Sequence, residues 1–429
     1  MNDHPKKSST HIENKRDSPL APYLALDLTD EKGILCGKIL TDLGGEVIKV
    51  ERPGGDPSRG IGPFYQDIPH PEKSLYWFAF NTGKKSITLD IEKRDGKAIF
   101  LKLVKKADFV IESFSPGFME RLGLGYSTLS RINPRLIMVS ISPFGQEGPY
   151  KDYKGPDLVV WALGGMLYIC GDADRAPVRI SFPQSYAHGG AAGAAAALIA
   201  LYHRKNTGEG QHVDVSAQQC MEWTTAEIVQ IWEMNRLKVG RTGQFRVRPT
   251  TGARLREIWP CKDGFICFRV MGGQVGAGFM KALVEWMDHE GMCNDYLRER
   301  KWEELDLGKV TQEEYNLAEE PIGRFFLPHT KAELLEEAVK RRIQLLPVNT
   351  NEDIFNDPHL SIRNFWKELE HPELGTTILY PGPFAKFSEA SCGPWRRAPL
   401  IGEHNEEVYR GEIGLSQSEL ILLKQNNII

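Results

Sequence analysis

The chain has 429 residues, with 53 Lys and Arg against 57 Asp and Glu, a formal net charge of -4, 41 % hydrophobic residues and 26 % charged residues. These fractions are those of a soluble globular protein and exclude disordered, collagen-like and coiled-coil classes for the bulk of the chain. The length suits two or three domains whose cores need no disulfide or metal staple. The balanced charge argues against nucleic acid as the main partner, because phosphate binding needs a clustered excess of cations. A local basic pocket for a small phosphate ligand remains possible.

The first twenty residues, MNDHPKKSSTHIENKRDSPL, are polar and lack the apolar run of a signal peptide; residues 1–21 read as a flexible tail. From Pro22 the chain alternates short apolar runs with amphipathic segments. Strands are expected at Tyr23 to Leu28, Glu46 to Glu51, Ser86 to Asp90, Phe109 to Glu112 and Leu136 to Ile141. Helices are expected at Gly33 to Leu43 and at Lys97 to Lys106, where the apolar residues recur on a helical period. This alternation predicts an α/β fold with a parallel, doubly wound sheet, buried on both faces.

Residues His188 to Lys205 form an Ala- and Gly-rich helix, thin enough to approach another backbone closely, ended by Asn206-Thr207-Gly208. A strand, Gln211 to Ser216, and a second long helix, Gln218 to Leu237, follow. Composition shifts after about Val239, and a hairpin is expected around Lys262-Asp263-Gly264. The domains therefore read as 22–238 for the first part of a large domain, 239–345 for a smaller one, and 346–429 for a segment returning to the large one, closed by a helix at Gln417 to Gln425.

Seven cysteines, at 36, 170, 220, 261, 267, 293 and 392, show no disulfide or zinc spacing and read as buried free thiols in a reducing compartment. No stretch approaches the ~18 apolar residues of a membrane helix. A cytoplasmic protein with no membrane partner and no metal is expected. The dinucleotide fingerprint GxGxxG, the P-loop and the hydrolase elbow GxSxG are all absent.

Seven segments in order resemble the family III CoA-transferases, the group containing formyl-CoA transferase, carnitine CoA-transferases and α-methylacyl-CoA racemase. They are LDLTDEKGILCGKILTDLGGEVIKVERPGGDPSRG (26–60), NTGKKSITLD (81–90), ADFVIESFSPGFMERLGLGY (107–126), INPRLIMVSISPFGQEGPY (132–150), LIALYHRKNTGEGQHVDVS (198–216), DPHLSIRNFW (357–366) and APLIGEH (398–404). The resemblance implies a Rossmann-like large domain built from both chain ends, an inserted small domain, and two chains interlocked like links.

It also implies a site for coenzyme A, whose phosphates need cations or N–H groups and whose adenine needs a flat partner. Arg52, just after the strand EVIKVE, sits at the carboxyl edge of the sheet, where α/β proteins bind ligands; in the family the matching residue lies against adenine. Lys84 matches a phosphate-contacting Lys. Ser113, Phe114, Arg121 and Leu122 match a loop that wraps the nucleotide, with Ser113 replacing the usual Asn. Arg59, Lys85 and Lys32 are weaker candidates.

The family's chemistry is covalent. An Asp carboxylate just before the Ala/Gly-rich helix attacks an acyl-CoA thioester to give a mixed anhydride, and the thiolate then returns to give an aspartyl-CoA thioester. Counted back from Thr207-Gly208, that slot falls on Tyr186, and no Asp or Glu stands between Asp174 and Glu209. A phenol cannot form the anhydride. The racemase branch's His-Asp pair is also missing, because the corresponding stretch is Gly155-Pro156-Asp157.

Three readings follow. In the first, the chain is a nucleophile-free subunit that binds CoA esters. A homologous Asp-bearing partner then completes transfer from succinyl-CoA to a carboxylic acid such as an arylsuccinate, in an interlocked dimer or α2β2 tetramer. In the second it is a stand-alone acyl-CoA isomerase or hydratase using His188 or Asp157. In the third it is a non-catalytic CoA-ester-binding regulatory subunit.

Overall fold

A computed structural model of the protein describes residues 17–429. Of the tail expected over 1–21, residues 1–16 lie outside the described residues. The rest packs: Leu20 is buried and its N–H donates to the Leu43 carbonyl at 3.0 Å.

The described chain divides into two compact units. The larger holds residues 17–166, Ile180–Val229 and His359–Ile429. Its centre is a six-stranded, wholly parallel sheet: β1 Leu24–Leu28, β2 Glu46–Glu51, β3 Lys85–Thr88, β4 Phe109–Glu112, β5 Ile137–Ser142 and β6 His212–Ser216. The order is β3-β2-β1-β4-β5-β6, the Rossmann arrangement, in which strand order reverses between β1 and β4. β2, β4 and β5 run almost without a polar residue facing solvent, as a sheet covered on both faces requires.

The first seven helices of this unit are α1 Ile34–Asp42, α2 Leu75–Asn81, α3 Arg94–Val104, α4 Phe118–Arg121, α5 Tyr126–Ile132, α6 Asp157–Leu163 and α7 Ser185–Thr207. One face of the sheet packs with α3 and the C-terminal segment through Phe100, Leu103, Tyr409 and Leu420. The other packs with α1 and α7 through Cys36, Leu40, Ala194 and Ala197. The small residues of α7 have the expected purpose. A Cβ at Gly190 would lie 2.9 Å from the Leu35 Cβ, and one at Gly193 would lie 2.7 Å from Ile141 Cδ1. Gly208 ends α7 in the left-handed region, φ 83°.

The chain's last segment is part of this unit. The Pro399 carbonyl accepts from Arg59 and from the Trp77 indole, both at 3.0 Å, and the Tyr409 hydroxyl donates to the Thr88 carbonyl at 2.5 Å. The closing helix Gln417–Gln425 starts in a capping box of Ser416 and Glu419.

The smaller unit holds Leu167–Arg179 and Gln230–Pro358. A three-stranded antiparallel sheet includes the expected hairpin, Ile258–Cys261 with Gly264–Phe268, and Leu345–Pro347 pairs beside it. Leu167–Arg179 was not expected here. It is tied to the unit by a main-chain bond, Gly243 N–H to the Gly171 carbonyl at 2.9 Å, and by the Arg241 guanidinium, which donates to the Tyr168 carbonyl at 2.9 Å. The expected helix Gln218 to Leu237 is two helices, Ala217–Thr224 and Ala226–Asn235, interrupted at Thr225. The seven cysteines are all free; Cys36, Cys261 and Cys392 are buried and Cys267 is exposed. Among the described residues no helix is long and apolar enough to cross a membrane, and no group of three potential metal ligands occurs.

Candidate active site

The carboxyl ends of β1 to β4 open on a cavity of about 300 Å3 at the point where strand order reverses. Its apolar walls are Leu28, Val50, Leu89, Ile91, Phe114 and Phe118; its polar lining includes Asp30, Arg52, Glu92 and Ser113. Three expected residues, Arg52, Ser113 and Phe114, therefore meet in one place. The side chain of Arg52 is 64 % exposed and pairs with Glu92 at 2.5 Å, so its guanidinium plane is accessible at the rim.

The loop after β4 builds a flat platform. The rings of Phe114 and Phe118 stand 4.5 Å apart, and the Arg121 guanidinium lies 5.8 Å over Phe118. Ser113 fixes the loop to the β1–α1 turn, accepting from the Asp30 N–H at 2.9 Å and donating to the Asp30 carboxylate at 2.8 Å. Leu122 faces inward and packs on the core beneath the platform. An aromatic and guanidinium ladder beside an apolar slot suits a purine ring and a pantetheine arm.

Lys84 is elsewhere. It is fully buried, donating to Asp27 at 2.8 Å and to the Ile34 carbonyl at 3.0 Å. The expectation that it holds a phosphate is corrected: a chain of buried charges, Lys84–Asp27–Lys49–Asp56, consumes its ammonium inside the fold. Burial works to raise the Asp27 carboxyl, but Lys84 and Lys49 outweigh it and hold it below the usual range. Arg59 is likewise internal, bonded to Glu51 at 2.6 Å and Glu72 at 2.7 Å and stacked 3.7 Å over Trp77. Lys85 pairs with Glu46, Glu407 and Glu412, and Lys32 with Asp30.

The start of α7 carries Tyr186, half-buried, its hydroxyl donating to the Gly155 carbonyl at 2.9 Å. Burial, then the charges of Glu31 and Asp30, push the phenol up, so it stays neutral at pH 7. Asp157 accepts from the Gln184 and Ser185 N–H groups at 2.9 and 2.8 Å and from the Ser185 hydroxyl at 2.7 Å. It is thus the anion that satisfies the first turn of α7. His188 donates from Nδ1 to the Gln184 carbonyl at 2.7 Å, which leaves Nε2 as the acceptor nitrogen.

Sequence reasoning missed two residues near the site. Glu31, half-buried on the β1–α1 turn, has its carboxyl raised by burial and by Asp30. Glu112, the last residue of β4, accepts from the Phe114 N–H at 2.7 Å, and burial raises its carboxyl to about 7 despite that bond and one from Ser140. The strand ends were the available signal, since each of β1 to β4 delivers a residue to the cavity.

The CoA-transferase family III model matches residues 28–405, and the chain belongs to this family. Among curated proteins it is 34 % identical over 389 residues to the succinyl-CoA:(R)-benzylsuccinate CoA-transferase subunit BbsE of Thauera aromatica, covering 90 % of this chain and 92 % of that protein. It is 30 % identical over 400 residues to the succinyl-CoA–D-citramalate CoA-transferase of Chloroflexus aurantiacus, covering 92 % and 94 % of the two chains. The same organism's succinyl-CoA–L-malate CoA-transferase beta subunit is 28 % identical, covering 96 % and 98 %. A crystal structure of a CaiB/BaiF family protein from Brucella suis superposes with a TM-score of 0.78 at 27 % identity, covering 92 % of this chain and 99 % of that one.

Proposed function

We propose that this chain is the CoA-binding, nucleophile-free subunit of a heteromeric, succinyl-CoA-dependent CoA-transferase. The observation that carries the reading is Tyr186. It occupies the start of α7 with its hydroxyl committed to the Gly155 carbonyl, in a stretch with no Asp or Glu from 175 to 208. The similarity to a benzylsuccinate CoA-transferase subunit and to a malate CoA-transferase beta subunit supports both the donor and the division of labour. An arylsuccinate such as benzylsuccinate is the acceptor proposed.

CoA occupies the cavity beside β1 to β4, with adenine between Arg52 and the Phe114–Phe118 platform and Arg121 facing its phosphates. The partner is a homologous chain with Asp in the Tyr186 slot, interlocked with this one as a dimer or α2β2 tetramer. Ile199 and Tyr202, each 70 % exposed, and Trp223, 83 % exposed, give the single chain an apolar surface for it. The partly buried free thiols fit a cytoplasmic location.

Asp157 does not suit the isomerase alternative. The Asp157 carboxylate is spent on the start of α7. The test is to express this chain alone and with an Asp-bearing homologue. Succinyl-CoA-dependent transfer is expected of the pair only. Transfer by the single chain, abolished by Tyr186→Phe, overturns the proposal.

A further inference from the structure

The loop that lines the cavity rests on a buried acid. Phe114 gives its ring to the cavity wall and its N–H to the Glu112 carboxylate, 2.7 Å away. Glu112 pairs in register with Leu28 on one side and with Ser140 on the other. Ser140 hydrogen-bonds the carboxylate and, at 2.9 Å, His212 Nε2. His212 lies on the edge strand β6, where the residue reaches solvent while its ring is partly covered by Tyr126, stacked at 5.6 Å. A continuous hydrogen-bonded chain thus runs from solvent at His212 through Ser140 and Glu112 to the main chain of the platform.

We propose that Glu112 is a positioning residue that takes up a proton when an anionic nucleotide fills the cavity, the proton arriving by way of His212 and Ser140. The inference rests on the assignment of CoA to that cavity. The reason is charge. The ionisable groups facing Glu112 are Glu120 on α4, Asp214 and His212 on β6, and Tyr126 on α5; Asp30, across Ser113, is acidic as well. Glu120 and Asp214 add to the upward push of burial on the carboxyl, burial holds the His212 imidazole down and neutral, and Tyr126 is a neutral phenol at pH 7. None of these supplies a positive charge at pH 7.

A pyrophosphate arriving beside the platform meets Arg121, while Arg52 is already paired with Glu92; it therefore adds net negative charge near a carboxylate that already resists ionisation, and a proton relieves it. The step balances simply. Solvent protonates His212 Nδ1 as its Nε2 proton passes to Ser140 Oγ, and the Ser140 hydroxyl proton moves to Glu112. The buffer loses one proton and the carboxylate gains it. Neutral Glu112 still accepts the Phe114 N–H through its carbonyl oxygen, so the platform is kept while the charge beneath it disappears.

The test uses 3′-dephospho-CoA, whose pyrophosphate carries no group titrating near pH 7, with the full chain. Calorimetry at pH 7.5 in buffers of different ionisation enthalpy reads the protons exchanged. The wild type should take up a fraction of a proton per ligand and bind roughly three- to tenfold tighter at pH 6 than at pH 8.5. Glu112→Gln should exchange none and lose that pH dependence. Ser140→Ala removes a bond that favours the ionised form, so the midpoint of the wild-type profile should move to higher pH; this variant decides the matter if Glu112→Gln does not fold. Binding with no proton uptake, uptake unchanged in Glu112→Gln, or an unmoved midpoint in Ser140→Ala overturns the inference. Absence of binding overturns the CoA assignment and the coupling with it.

Discussion

Replacing Lys84 by Ala separates the phosphate-binding role expected from its sequence motif from the internal role that the fold gives it. In the fold, Lys84 and Asp27 are both fully buried. Removing the ammonium deletes the 2.8 Å bond to Asp27 and the 3.0 Å bond to the Ile34 carbonyl. Asp27 keeps its bonds from the Thr29 N–H and hydroxyl, at 2.9 and 2.7 Å, and Lys49 remains 3.7 Å away. Breaking a buried pair costs about 3–5 kcal/mol, and the partners left to Asp27 place this case near 3. With a urea slope of about 3 kcal/mol/M for a unit of this size, the unfolding midpoint should fall by about 1 M. CoA affinity of the folded variant, measured by calorimetry well below that midpoint, should change less than about twofold, an energy shift under ~0.5 kcal/mol. A variant with wild-type stability and CoA binding weakened tenfold or more would refute the internal role and restore Lys84 as a phosphate ligand.

Phe114→Ala should weaken CoA binding by about 1–3 kcal/mol, the worth of one base stacked on an aromatic ring, with urea stability little changed. Arg52→Ala should weaken it about tenfold with no loss of stability, because the pair with Glu92 is exposed; unchanged calorimetric affinity in either variant contradicts the placement of adenine. Asp157→Asn should cost about 1–2 kcal/mol of stability, by removing the negative charge at the start of α7, read from the same urea midpoint. The Glu112 carboxyl is raised from 4.5 to about 7. The native state then holds a proton that the unfolded state has lost, so stability should fall as pH rises from 4.5 to 7 and level off above. Denaturation of Glu112→Gln at several pH values should lack that fall.

Much of the fold was legible in local pattern. The bounds of β2, β4 and the last helix coincide with those read from the sequence, because each is an apolar run or a capped amphipathic segment whose limits are set by its own residues. Elements set by distant partners were not legible. Thr225 breaks one expected helix into two, and Leu167–Arg179 joins the smaller unit through bonds to residues some 70 positions away. The site divides the same way. Arg52, Ser113 and Phe114 follow strand ends, so their convergence was readable once the strands were parallel and ordered. Lys84 stands in a motif, NTGKKS, that matches a phosphate-contacting Lys of the family, and only Asp27, 57 residues earlier in the chain, makes it internal. Glu112 is one more apolar-strand terminus in sequence; its link to Ser140 and His212 exists only across the sheet.

The location of the covalent intermediate tests the central claim most directly. The complex of this chain with an Asp-bearing homologue is incubated with succinyl-CoA and reduced with borohydride, and both chains are mapped by mass spectrometry. The account predicts reduction at the partner's Asp and no modified residue in this chain. An adduct on this chain, at Glu31, Asp157 or any other carboxylate, would contradict it.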